Sequence, residues 1–205
     1  MYPERNDSRR GGGFDRRNQS SYGPPRPAPI PEGFALYYIA TLCPPAIDEK
    51  VSEYKQYMQS KYGSRAAQKS PAHLTIVPPF KAEEDMEQLL KDFVEKYNAD
   101  FSAFDIHLKN FDHFNQRVLF VSAVPGEELS NLEKEVNQQF SEAFPSIIFR
   151  TKPEFHPHVT IATRDIPEHR FDEIWDYFQQ QEMDVSFTAS EITVLKLVQG
   201  RWSRM

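Results

Sequence analysis

The sequence predicts an α+β fold on a bilobal, duplicated plan: two antiparallel-rich sheets flanked by helices, with a central cleft carrying two His-x-Thr strands. Three observations predict it. Segments with strand alternation interleave with segments of helical periodicity throughout residues 34–205. The tripeptides His73-Leu74-Thr75 and His158-Val159-Thr160 recur 85 residues apart. Each sits in the same local order of strand, helix, motif strand and helix, so each lobe is expected to lend one motif strand to the cleft.

The elements follow in order. Residues 1–33 are rich in Arg, Gly, Pro and Ser with few aliphatic side chains, too little apolar surface to offset the entropy of ordering. They are read as a disordered tail ahead of one two-lobed domain over 34–205. Its arginines, with Phe14 and Tyr22, suit weak RNA contact; a solubilising tail is the plainer reading. Phe34 to Leu42 reads as a buried strand ended by Pro44 and Pro45. A helix over about 46–62 follows, with Ile47, Val51, Tyr54 and Met58 on one stripe and Gly63 as its C-terminal cap. The first motif strand comes next, expected to close at Pro78-Pro79. Glu83 to Tyr97 is strongly amphipathic and predicts a second helix.

Phe101–Phe114 and Arg117–Val124 read as a hairpin turning at Asn115-Gln116, although no Gly is there to fix the turn type. Glu127–Phe144 carries Leu129, Leu132, Val136 and Phe140 at helical spacing. The second motif strand, a helix over about 168–181 and strand-like runs from Val185 to Val198 complete the chain.

Composition narrows the functions available. The formal net charge is −6; residues 1–33 carry six Arg against Glu4, Asp7, Asp15 and Glu32, leaving −8 on the rest. So acidic a body argues against a broad footprint on duplex nucleic acid, though not against a small phosphate ligand in a basic pocket. Cys43 is the single cysteine, which excludes an internal disulfide and a cysteine-based zinc cage. No run is apolar enough to span a bilayer, and the N-terminus lacks the apolar core of a signal peptide, so a cytoplasmic protein without membrane attachment is expected.

The motifs carry the chemistry. With 6 His and 7 Thr in 205 residues, chance placement gives only about 0.2 His-x-Thr tripeptides. Two of them, both inside β-branched runs, are unexpected. Alternation puts His73, Thr75 and Val77 on one strand face, and likewise His158, Thr160 and Ala162. One imidazole alone reads more simply as a half-buried structural histidine; a facing pair suits general base and general acid on one phosphodiester. The Thr hydroxyls are placed to bind non-bridging phosphate oxygens. A metal site built on Glu154, His156 and His158 is the alternative, weakened by Pro157 between the histidines and the lack of an HExxH motif. His107, His113 and His169 have no such partners and read as structural or surface residues.

PAHLTIVPPF and HPHVTIATR resemble the two signature strands of the 2H phosphoesterase superfamily, particularly bacterial 2′-5′ RNA ligase or cyclic phosphodiesterase proteins. The resemblance covers about residues 34–200, with only the motifs specific. It implies a bilobal fold and metal-independent chemistry, without a cofactor, on 2′,3′-cyclic phosphate or 2′-5′-linked RNA. His73 and His158 would be the acid and base, and Thr75 and Thr160 the phosphate binders. Many members place an Arg five residues after the second His; here Thr163 holds that place. Arg164 would share the cleft face only if the strand stays regular, and a bulge would change that. Phe80 is a candidate base-stacking ring, weighed against a core role, while Arg150, Lys152 and Arg201 offer a basic rim. The expected partner is a nucleotide or an RNA end, met by a monomeric chain. A non-catalytic RNA- or nucleotide-binding module and a 2′-5′ RNA ligase are the other readings.

Overall fold

Pro44 and Pro45 cut the first apolar run and start the first helix together. Pro44 holds φ −64° and ψ 159° at the N-cap, and Pro45 takes the first helical position, where a missing N–H costs nothing. Strand β1 (Phe34–Leu42) thus passes directly into α1 (Pro45–Tyr62). The helix stops at Gly63, whose φ of 76° lets its N–H reach back to the Gln59 carbonyl at 2.9 Å. The computed structural model describes residues 29–147, 149 and 154–205. All but the last five positions of the expected tail, including Phe14 and Tyr22, lie outside the described residues, as do Arg150 and Lys152.

Beyond α1 the order is β2 (His73–Glu83), α2 (Glu87–Ala99), β3 (Phe104–Phe114), β4 (Val118–Ala123), α3 (Glu127–Ala143), β5 (His158–Thr163), α4 (Phe171–Phe178), β6 (Asp184–Ala189), β7 (Thr193–Val198) and β8 (Arg201–Arg204). Short 3-10 turns precede β2, α2 and α4, so the helices expected from 83 and from 168 begin as tighter coils. At the hairpin, Asn115 supplies the left-handed residue, φ 51°, that the missing glycine would have provided.

The strands form two four-stranded antiparallel sheets, β2-β1-β7-β8 and β5-β4-β3-β6. The α+β architecture with helix-flanked sheets matches the expectation, but sheets and sequence halves do not coincide, because the C-terminal hairpin β7–β8 completes the first sheet. Helix α1 packs against β5 and α3 against β2, so each motif strand rests on the helix from the other half of the chain. One buried core runs through both sheets, including Tyr37, Leu74, Met58, Phe111, Val159 and Phe178. No helix among the described residues is long and apolar enough to cross a membrane.

Candidate active site

Both motif strands lie at sheet edges, β2 outermost in one sheet and β5 in the other, and the two edges approach each other without joining into one ladder. Each breaks its alternation at the same point. In β2, Thr75 pairs with Ala40 and Val77 with Ile39, leaving Ile76 as an extra residue. In β5, Thr160 pairs with Phe120 and Ala162 with Leu119, leaving Ile161 extra. These are β-bulges one residue after each Thr.

The bulges reverse the facing of the residues beyond them. Val77 and Ala162, expected beside the histidines, are both fully buried, because the extra residue turns them to the core. His73 and Thr75, and His158 and Thr160, keep the half-buried face. A second irregularity, between Tyr37 and Ile39, absorbs Pro78-Pro79, so β2 continues to Glu83 rather than ending at the prolines. An edge strand tolerates them, having no further ladder to break. Beyond the prolines Phe80 faces inward, 5% exposed, its ring 5.9 Å from Tyr37 and 4.9 Å from Phe140. It is a core aromatic and not a base-stacking ring on the cleft.

Arg164 is likewise not on the strand. β5 ends at Thr163, and Arg164 adopts φ 69°, exposed and off the cleft alternation. That turn delivers Asp165 to the segment ahead of the first motif, where its carboxylate accepts from Ser64 Oγ at 2.6 Å and from the N–H groups of Arg65 and Ala66 at 2.7 and 3.0 Å.

The two imidazoles are held alike. His73 Nδ1 lies 2.7 Å from the Pro71 carbonyl oxygen and His158 Nδ1 2.6 Å from that of His156, the carbonyl two residues back in both cases. A carbonyl can only accept, so Nδ1 carries the proton in each ring and Nε2 is left with its lone pair. Aromatic rings from the neighbouring strands fix the ring planes. Tyr38 of β1 stacks on His73 at 4.8 Å, with its hydroxyl 2.7 Å from Ser70 Oγ, which in turn lies 3.2 Å from His73 Nδ1. Phe120 of β4 lies 4.9 Å from His158, and Phe114 meets it edge-on at 5.2 Å.

Burial sets the protonation. It pulls His73 from the ordinary 6.5 down to about 4, with nearby Lys55 and His158 pushing the same way and the Pro71 carbonyl partly opposing. His158 is also lowered, first by burial and then by neighbouring His156, again against its own carbonyl bond. Both rings are therefore neutral at pH 7, and a proton on either disfavours one on the other.

No three His, Cys, Asp or Glu side chains among the described residues are placed to hold one ion. Glu154, His156 and His158 therefore do not form the ligand set weighed from sequence; His156 instead packs edge-on against Phe114 and Phe120. His107 bonds Asp184 at 2.6 Å and His113 the Asn115 carbonyl at 2.6 Å, in keeping with structural roles. A cavity of about 980 Å³ lies between α2 and α3; neither motif histidine borders it, and Glu128, Glu135 and Glu142 make it unsuited to phosphate.

Sequence reasoning missed several supporting residues. Lys55 of α1, 4% exposed, donates to the Ser70 carbonyl at 2.8 Å, and Asp48 accepts from Ala72 N–H at 2.6 Å, so α1 clamps the loop that carries Pro71. Asn137 of α3 donates to the Ile76 carbonyl at 2.9 Å, satisfying the bulge. Lys55 and Asn137 each interrupt an apolar helical stripe, the one signal that marked them.

Residues 43–201 match the family model described as the 2′-5′ RNA ligase superfamily. A protein of Geobacillus kaustophilus (strain HTA426) named as a candidate phosphoesterase is 23% identical over 172 residues, covering 82% of this chain and 91% of its own. A second from Geobacillus sp. (strain WCH70), similarly named, is 24% identical over 161 residues, 76% of this chain and 87% of its own. Among solved structures, E. coli LigT complexed with 3′-AMP superposes with a TM-score of 0.59 at 16% identity, covering 84% of this chain and 94% of that one. A Thermus thermophilus protein gives 0.60 at 16%, covering 83% and 93%. At such identities the two structures speak for the fold. The family match spans the segment that holds both motif strands, and the chain belongs to the 2′-5′ RNA ligase superfamily.

Proposed function

We propose that this protein is a metal-independent phosphoesterase that opens a 2′,3′-cyclic phosphate, or cleaves a 2′-5′ phosphodiester, of a nucleotide or RNA end. The observation that carries the reading is the mirrored pair of Nδ1 hydrogen bonds, which leaves Nε2 as the reactive nitrogen of both rings. One neutral imidazole takes a proton from water at Nε2 as the water attacks phosphorus. The other, protonated once a phosphate anion offsets its desolvation, gives its Nε2 proton to the departing ribose oxygen. Their mutual repulsion disfavours protonating both at once, so when one carries the proton the other stays free to act as base. Thr75 and Thr160 hydroxyls donate to the non-bridging oxygens, where charge builds.

The test is hydrolysis of nucleoside 2′,3′-cyclic phosphates and cyclic-phosphate-ended oligonucleotides in excess EDTA. Wild-type turnover should resist chelation and fall roughly 10²–10⁴-fold in both His73→Ala and His158→Ala. If His→Gln variants keep full affinity and the wild-type protein turns over no member of the panel, the protein binds without catalysing. Activity lost to EDTA would overturn the metal-independent mechanism.

A further inference from the structure

Beside the loop that holds His73 lies a second cavity, about 400 Å³, bordered by Asp48, Lys55, Lys69, Ser70, Arg201 and Trp202. Its charged lining is unbalanced: three cations face one carboxylate, in a chain whose net charge is −6. None of the three cations forms an ion pair among the described residues, and Asp48 already accepts the Ala72 N–H. Lys55 is the sharpest case. The residue is only 4% exposed, and the one hydrogen bond its ammonium makes among the described residues is to the Ser70 carbonyl, at 2.8 Å. Asp48 is the one carboxylate near this buried cation and makes no ion pair with it, so an anion in the cavity would further offset the cost of burying it. Burial already pulls Lys55 below the usual lysine range.

The cavity also has an aromatic wall in line with the proposed catalytic group. Trp202, half-buried on β8, meets Tyr38 edge-on at 4.5 Å, and Tyr38 stacks on His73 at 4.8 Å. The cavity is thus two ring spacings from the imidazole. Cations for a phosphate and a partly open indole for a base are the two elements by which single-stranded nucleic acid is held.

We infer that this cavity is a subsite for the nucleotide next to the reacting one, with Lys55, Lys69 and Arg201 on its phosphate and Trp202 stacked on its base. The inference rests on the reading of the site as a phosphoesterase, and it makes the substrate an RNA strand end rather than a free mononucleotide. Ser70 and Pro71 join both regions, so a filled subsite would also steady the carbonyl that holds His73.

The test uses the full chain and two probe pairs. For binding, an RNA tetranucleotide ending in 3′-phosphate is compared with the matching nucleoside 3′-phosphate by calorimetry at several salt concentrations. For turnover, the 2′,3′-cyclic forms of the same pair are compared. The tetranucleotide should bind at least about tenfold tighter, and Lys69→Ala with Arg201→Ala should erase that margin and flatten the salt slope by about 0.7 per cation removed. The oligonucleotide-to-mononucleotide ratio of kcat/KM should fall about tenfold in the same variants. The chain has two tryptophans, Trp175 and Trp202, so base stacking should quench emission in Trp175→Phe and not in Trp202→Phe. Equal affinity for the two probes, or a margin that survives both substitutions, would overturn the subsite even if cyclic phosphates are hydrolysed. Length-dependent binding lost in the variants, with no turnover of either probe, would keep the subsite and sink the catalytic reading.

Discussion

Ser64 and Asp165 stand 101 residues apart in sequence and are joined by a 2.6 Å hydrogen bond. Asp165 follows the second motif strand, and Ser64 opens the segment leading to the first. One carboxylate, accepting from Ser64, Arg65 and Ala66, thus ties the exit of one histidine strand to the approach of the other.

Asp165→Ala should loosen that tie. Three charge-assisted bonds at a largely exposed carboxylate predict a loss of about 1–2 kcal/mol by urea denaturation, with Ser64, itself 3% exposed, left without its partner. On the proposed mechanism kcat on cyclic phosphates should fall as well, because the two strands that carry the histidines and the threonines would lose their fixed spacing. A variant with wild-type stability and kcat would show the tie to be idle.

His73 makes folding pH-dependent. The unfolded chain protonates it near 6.5 and the folded chain near 4, so the unfolded state binds more protons between those values. Its contribution is complete above about pH 6.5 and is lost as pH falls toward 4, on the order of 3 kcal/mol in all. His158, lowered for the same reason, adds to the slope in the same direction. Denaturation of wild type and His73→Gln at pH 7 and pH 4.5 should show a smaller pH effect in the variant. Equal slopes would mean that His73 titrates normally.

Asn137 is the support for the first bulge. Asn137→Leu keeps the volume but leaves the Ile76 carbonyl buried and unpaired, for an expected cost of about 1–3 kcal/mol. Since the bulge adjoins Thr75, activity on cyclic phosphates should fall as well. Unchanged thermal midpoint and rate would show that the bulge holds itself.

Tyr38 separates ring from hydroxyl. Tyr38→Phe retains the stack on His73 and loses the link to Ser70, for about 1 kcal/mol, whereas Tyr38→Ala empties a site 2% exposed and should cost about 3–5 kcal/mol. The imidazole resonance of His73 should shift far more in Tyr38→Ala than in Tyr38→Phe; equal shifts would assign the orienting role to the hydroxyl.

Periodicity and punctuation made most elements legible: the α1 stripe with Gly63 behind it, the hairpin, and both His-x-Thr faces up to the Thr. Legibility ended one residue later. Ile76-Val77 and Ile161-Ala162 read as uninterrupted strand, since an extra residue in a ladder is defined by the partner strand and leaves no mark of its own. From that point Val77, Ala162 and Arg164 depart from the faces that regular alternation gives them, while Phe80 takes the core role weighed for it. Trp202 was hidden for another reason: RWSR is too short to announce a strand, and its place beside Tyr38 exists only once β7 and β8 pair with β1's sheet.

Laid side by side, the strands run β8-β7-β1-β2 and then β5-β4-β3-β6, an order that one more ladder would weld into a single layer of eight. The weld is missing at β2 and β5, the strands whose registers are broken by bulges and by Pro78-Pro79. An irregular edge is a poor template for another strand. The irregularities just past the histidines therefore keep the seam between the two strands from zipping shut, and would equally discourage a strand of another molecule from closing it.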